Sequence, residues 1–381
     1  MTAINLLDTG IVYRGSKDDP HLRNAAFPSI AQLPDGRLVA TMTVGREKNS
    51  SDVRCYCSES PDSGCSGASG GGDMSWSPPR KIFEPDESDH PVSAGIRMSR
   101  AQDGSLVGFV NLLDRSDPKG AVTNPENGGS VAKKHAITRS IDGRTWTGPE
   151  FFEPPLDWNC LGEPSPVLAV SADRWLLPSL TRLDWHGRCP FGLKSFVMIS
   201  RDEGRTWPRA VDVFDLWARR IITWEQKQTR LTDGRLLAVT WAFDSRTREN
   251  LPNLYTFSYD EGESYDSPYT SPLHGQTCTP LALGHNHVLC VYRRLDKNGL
   301  WAHLAQVMGT EWIPHAETCL WGSDRAAMPG AKNSAIENQG ALQFGFPQLI
   351  RLEEGNIFVV FWAVEDGLSV IRWFRLRLSC E

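Results

Sequence analysis

The 381-residue chain lacks several features that would assign it to a particular class of protein. No run of about 18 apolar residues is present, so no transmembrane helix is predicted. The first residues show no basic segment followed by an apolar run, so no signal peptide is predicted either. Nine cysteines are an odd number and too sparse for a disulfide scaffold. Together these absences predict a reduced, cytoplasmic protein.

Positive charge is also scarce. The chain has 40 Lys and Arg against 46 Asp and Glu, a formal net charge of −6. Nucleic acids and anionic membranes require a basic surface, so we expect neither as a partner. No glycine-rich loop joins a predicted strand to a helix, and no Cys and His spacing is typical of zinc. The sequence therefore predicts no cofactor and no metal.

Helical periodicity is rare, whereas short β-branched and aromatic runs bounded by Gly, Pro, Asp and Asn recur throughout. Six times a predicted strand is followed by a tight turn and a second strand. The turns lie at Asp35-Gly36, Asp103-Gly104, Asp173, Asp233-Gly234, Gly284 to Asn286 and Glu354-Gly355. Their spacing, roughly 50–70 residues, leaves room for about four strands per repeat. This pattern predicts an all-β, six-bladed β-propeller of four-stranded antiparallel blades, in a single domain spanning residues 1–381.

A second motif follows three of these hairpins. It reads SRDEGRTW at 200–207, SYDEGESY at 258–265 and SIDGRTW at 140–146. Ser and Asp side chains bond turn amides, Gly accepts a positive φ, and Trp packs between blades. We therefore interpret Asp142, Asp202 and Asp260 as structural residues.

These motifs resemble the Asp boxes of the sialidase (neuraminidase) superfamily, whose members are six-bladed propellers. The resemblance covers the whole chain. It implies a glycosidase-type enzyme, similar to exo-sialidases, that acts on a terminal and acidic sugar of a glycan. The last repeat lacks a fourth strand, and we predict that Gly10 to Arg14 supplies it, so that the N-terminal strand closes the sixth blade.

The Asp-Gly turns and the Asp boxes are predicted to share one face, and the longer loops lie on the other, where sites are usually built. Glycosidic cleavage needs two carboxyl groups, arginine forks grip carboxylates, and Trp stacks on sugar faces. The predicted catalytic residues are Asp52, Glu225 and Glu163. The predicted substrate-binding residues are Arg23, Arg46, Arg182, Arg293, Gln276 and Trp224.

Two segments depart from the sialidase pattern. The resemblance implies an arginine at the first inner strand, where this chain reads AAFPSI at 25–30, and a nucleophilic tyrosine at the last, where it reads FGFP at 344–347. Both departures argue against sialidase activity itself. Two alternatives stay open: a uronate lyase with His90 or Tyr292 as its base, and a non-catalytic glycan-binding propeller. The sequence does not determine the oligomeric state.

Overall fold

The computed structural model describes residues 3–61, 75–84, 91–162, 165–326 and 341–379, and most of them lie in strands. The strands form six antiparallel sheets arranged in a ring, so the predicted all-β, six-bladed propeller is confirmed. No helix in this described part of the chain is long and apolar enough to cross a membrane. Short 3-10 helices lie at Pro20–Leu22, Trp217–Arg219 and Gly284–Asn286.

The described residues form 25 strands: β1 Ala3–Arg14, β2 Asn24–Gln32, β3 Leu38–Gly45, β4 Arg54–Ser60, β5 Arg80–Lys81, β6 Val92–Arg100, β7 Leu106–Asp114, β8 Lys133–Ser140, β9 Glu150–Phe152, β10 Leu161–Gly162, β11 Leu168–Ser171, β12 Arg174–Thr181, β13 Ser195–Ser200, β14 Arg209–Phe214, β15 Ile221–Arg230, β16 Leu236–Asp244, β17 Glu249–Ser258, β18 Tyr269–Thr270, β19 Gly275–Ala282, β20 His287–Arg294, β21 Leu300–Met308, β22 Glu311–Trp321, β23 Phe344–Arg351, β24 Ile357–Glu365 and β25 Leu368–Ser379. Blades one, two, four and five are β2–β5, β6–β9, β15–β18 and β19–β22, each a four-stranded meander.

Blade three departs slightly from this plan. Two short segments, β10 and β11, share its innermost position, and both pair with β12. Residues 163–164, which lie between them, fall outside the described residues. The predicted catalytic residue Glu163 therefore has no described position.

The N-terminal strand closes the ring. In blade six β1 pairs antiparallel with β25, so that Thr9 lies opposite Phe374 and Ile11 opposite Arg372. The predicted closure is confirmed, and the strand begins at Ala3, earlier than the expected start at Gly10.

The innermost hairpins turn as their Asp-Gly pairs predict. In blade one the Gly36 amide donates to the Leu33 carbonyl at 3.0 Å, and Gly36 takes a φ of 87°. Glycine reaches this left-handed conformation without the steric cost of a side chain. Blades three and five lack the Asp-Gly pair: blade three turns at Ala172 and Asp173, and in blade five His285 and Asn286 take positive φ.

The three Ser-x-Asp turns follow the third strands of blades two, three and four, β8, β13 and β17. The long loops lie at the opposite ends of these strands. In the turn after β13, the Asp202 carboxylate accepts hydrogen bonds from the Thr206 amide at 2.9 Å and the Thr206 hydroxyl at 2.7 Å. Trp207 is buried, with its ring 5.6 Å from that of Phe152 in blade two. The carboxylates of Asp142 and Asp260 accept equivalent bonds within their own turns.

Candidate functional site

A cavity of about 580 Å³ occupies the centre of the ring and is lined by residues from all six blades. Much of its wall comes from the loops that join the second and third strands of blades one, two and three. Its size is that of a small-molecule site, since ligand pockets commonly enclose about 300–1,000 Å³. None of the Ser-x-Asp turn residues lines it.

The charges on this wall are strongly unbalanced. Among the described residues, Glu225 is the one carboxylate that lines the cavity. The lining cations are Lys48, Arg97, Lys133, Arg182 and Arg293. An excess of cations at the centre of a chain with a net charge of −6 favours an anionic ligand.

Local backbone irregularities aim several side chains into the cavity. The innermost strands of blades one, four, five and six each carry a register shift, and each shift holds a residue in the left-handed region, with φ between 51° and 55°. These residues are Phe27, Glu225, Thr277 and Phe346, and all four line the cavity. Bulges and positive φ at non-glycine residues concentrate at functional sites. The repeated strain therefore marks this cavity as the candidate active site.

Glu225 lies at the bulge in β15, which changes the direction of its side chain. In a regular strand neighbouring residues point to opposite faces, yet Trp224 and Glu225 both line the cavity. The register shift between Trp224 and Lys227 makes this possible. The Trp241 indole donates to Glu225 Oε2 at 3.3 Å, which orients the carboxylate.

Arg293 is buried and held in a fixed orientation. Its Nη1 donates to the Phe344 carbonyl at 2.6 Å, and its Nη2 donates to Gln276 Oε1 at 2.7 Å. Burial lowers the pKa of Arg293 to about 10, so the guanidinium stays charged at neutral pH. Gln276, predicted to bind substrate, does not line the cavity and instead holds Arg293.

An aromatic and cationic stack lies beside Glu225. Arg97 Cζ lies 4.4 Å from the centroid of the Phe346 ring, and Lys227 Nζ lies 4.3 Å from the same centroid. The Phe27 ring meets Phe346 edge to face, with centroids 5.4 Å apart. A phenyl ring, without a hydroxyl, thus occupies the position at which the sialidase resemblance implies a nucleophile.

Lys227 is buried beneath this stack. Its ammonium donates to Thr279 Oγ1 at 2.6 Å and to the Pro347 carbonyl at 3.2 Å. Burial lowers the pKa of Lys227 from 10.5 to about 7, with Arg97 contributing in the same direction. A change of this size corresponds to a penalty on the order of 5 kcal/mol for the charged form.

The substitution Lys227→Met should therefore stabilise the fold most at low pH. Below pH 7 the lysine is protonated in the folded and unfolded chain, so the full penalty is present. As the pH rises from 7 toward 10.5 the folded chain loses its proton first, and the gain from methionine shrinks. Denaturant unfolding at pH 6 and pH 9 measures the difference, with the exposed Lys17→Met as control. Equal destabilisation at both pH values would contradict this account.

One side of the cavity is apolar. Trp217, Ile222, Trp224 and Trp241 line it together with Leu193. The rings of Trp224 and Trp241 meet edge to face, with centroids 4.6 Å apart. Arg182, which the sequence predicts to bind substrate, lines the same cavity.

Several predicted residues lie elsewhere. Arg23 is exposed at the end of the helix Pro20–Leu22, and Arg46 is exposed beside Asp52; neither lines the cavity. Asp52 is also absent from the lining. Tyr292 is fully buried in the core between blades four and five, so it does not reach the cavity. His90 lies outside the described residues.

Sequence reasoning did not single out Lys48, Lys133, Lys227 or Phe346 as contributors to this region. Lys48 sits in a loop whose path the sequence pattern does not define. Lys227 follows the bulge, where strand alternation no longer predicts which way a side chain points. Within the described residues, no group of three or more His, Cys, Asp or Glu is arranged to hold a metal ion.

Comparison of sequences identifies no matching family and no similar curated protein. Solved structures do match over nearly the whole chain. A protein of unknown function from Dyadobacter fermentans superposes with a TM-score of 0.72 at 17% identity, over 99% of both chains. The NanB sialidase from Streptococcus pneumoniae gives 0.67 at 14% identity, over 97% of this chain and 70% of that one. The α-L-arabinanase from Penicillium chrysogenum gives 0.62 at 14%, over 98% of both. The chain therefore has the sialidase-like, six-bladed propeller fold, which it shares with enzymes that act on glycans.

Proposed function

We propose that this protein is a glycosidase-type enzyme that binds a terminal acidic sugar in its central cavity. The observation that carries the proposal is the charge of the cavity, with five cations and one carboxylate among the described lining residues. Arg293 presents a fixed fork for a sugar carboxylate, and the tryptophan side offers surfaces on which a sugar ring can stack.

Glu225 is the proposed catalytic carboxylate. Hydrolysis of a glycosidic bond needs a second carboxyl group about 5–10 Å from the first. Of the two other candidates, Asp52 lies outside the cavity lining and Glu163 outside the described residues. With Phe346 in place of a tyrosine, a sialidase-type covalent route is not supported. Uronic acids are therefore a better proposal for the substrate than sialic acid.

A non-catalytic, glycan-binding propeller is the second candidate. It is favoured because the described lining residues include a single carboxylate. Hydrolysis needs a second carboxyl group, whereas binding of a sugar does not. The lyase alternative loses one of its two predicted bases, because Tyr292 lies in the interblade core.

Fluorogenic glycosides separate these possibilities. We expect turnover of an α- or β-glycoside of glucuronic or galacturonic acid, and none of the corresponding neutral glucosides, galactosides or arabinofuranosides. A known sialidase and its sialoside serve as the positive control. Turnover of neutral glycosides alone would contradict an acidic substrate, whereas binding of uronates without turnover would support the binding propeller. An unsaturated product absorbing in the ultraviolet would instead identify a lyase.

A further inference from the structure

The loop between β3 and β4 carries a blade-one lysine into the middle of the cavity. Lys48 Nζ lies 5.1 Å from the ring centroid of Trp362 in blade six. Its ammonium also interacts electrostatically with Arg293 of blade five and Glu225 of blade four. One side chain from a surface loop thus lines the same cavity as Arg293 and Glu225, on which the proposed function depends, and interacts with them electrostatically.

The carboxylate of Asp52 organises this loop. It accepts hydrogen bonds from the Arg46 amide at 3.3 Å and from Ser50 Oγ at 2.6 Å, which ties together the two ends of the loop. Ser50 in turn closes the segment, because its hydroxyl accepts from the Glu47 amide at 3.0 Å. Lys48 lies at the tip that these bonds define.

The contacts of the Asp52 carboxylate also make this residue a poor catalytic acid. Asp52 Oδ2 also accepts from Arg46 Nε at 3.3 Å and lies 2.8 Å from His21 Nδ1, so that both oxygens are engaged by donors or cationic neighbours. A carboxylate with donors at both oxygens stays ionised and has no proton to give a leaving group. Asp52 is also absent from the cavity lining, whereas Lys48 and Asn49 belong to it.

We propose that Asp52 is a positioning residue that acts through Lys48, and that Lys48 determines specificity by contacting the acidic group of the sugar together with Arg293. This inference rests on the proposed acidic ligand. It replaces the catalytic role predicted for Asp52 from the sequence with control of a binding cation.

The test compares Lys48→Met, Asp52→Ala, which removes both acceptor oxygens, and the double variant, with Glu47→Gln as the matched control in the same loop. Affinities for glucuronate and galacturonate are measured by calorimetry. Loss of a charge-assisted contact should weaken binding about 10-fold or more in each single variant. The double variant should be no weaker than Lys48→Met, because both changes remove one interaction. Glu47→Gln should bind like the wild-type protein.

Other outcomes overturn the inference. If Asp52→Ala abolishes turnover while the affinity is unchanged, Asp52 is a catalytic acid. If the two effects multiply in the double variant, Asp52 does not act through Lys48. A crystal structure of Asp52→Ala tests the positioning role without any sugar, since Lys48 should leave the cavity when the bonds from the Arg46 amide and Ser50 are lost. If that displacement is seen but the wild-type protein binds no uronate, the positioning role stands and the proposed function fails.

Discussion

Replacing Glu225 by glutamine should reduce turnover of an acidic glycoside roughly 1,000-fold, within the range expected when a group that transfers protons or stabilises charge is lost. Affinity for the free acidic sugar should be unchanged or higher, because the substitution removes the one carboxylate among the described lining residues. Glutamine has the same shape and keeps an oxygen for the Trp241 indole. The effect should therefore fall on kcat and not on KM.

Glu249→Gln is the matched control for this experiment. Glu249 is exposed at the start of β17 in the same blade and does not line the cavity. It should have no effect on turnover. Wild-type turnover in Glu225→Gln would remove the carboxylate from the mechanism and leave only a binding role for this part of the cavity.

Replacing Arg293 by methionine should weaken the affinity for an acidic monosaccharide about 100-fold. The guanidinium is buried, and its two bonds to Phe344 and Gln276 hold the fork ready, so little ordering remains to be done on binding. Arg293→Lys should recover only part of the affinity, because a lysine cannot form a bidentate contact. Calorimetric titration with glucuronate measures both variants.

Arg246→Met provides the control for Arg293. Arg246 is exposed on blade four and pairs with Asp244 at 2.9 Å, away from the cavity lining. Its loss should leave the affinity unchanged. Undiminished binding by a folded Arg293→Met would contradict the assignment of the anion site.

The sequence predicted the propeller well because each blade repeats a local signal. The glycine that follows Asp35 or Asp233 enforces the hairpin turn by its positive φ, whatever the surrounding structure. Closure by β1 followed from counting strands in the last repeat. Because these features depend on a few neighbouring residues, they can be predicted from the sequence alone.

The candidate site was predicted less completely, for a different physical reason. Arg182 and Arg293 lie at the ends of second strands, Trp224 and Glu225 lie in the first half of β15, and all four were found from their position in the repeat. Lys48 was missed because its loop takes its path from side-chain contacts to Asp52, which no periodicity reveals. Bulges add a second difficulty, because they place two successive residues on the cavity side of one strand.

Titration of the wild-type protein with matched sugars would show whether the cation-rich cavity binds an acidic sugar. Glucuronate is compared with glucose, and galacturonate with galactose, at low and high salt. We expect that at least one uronate binds, that its neutral partner does not, and that salt weakens the binding. Equal binding of the neutral sugar, or binding of neither, would contradict this expectation.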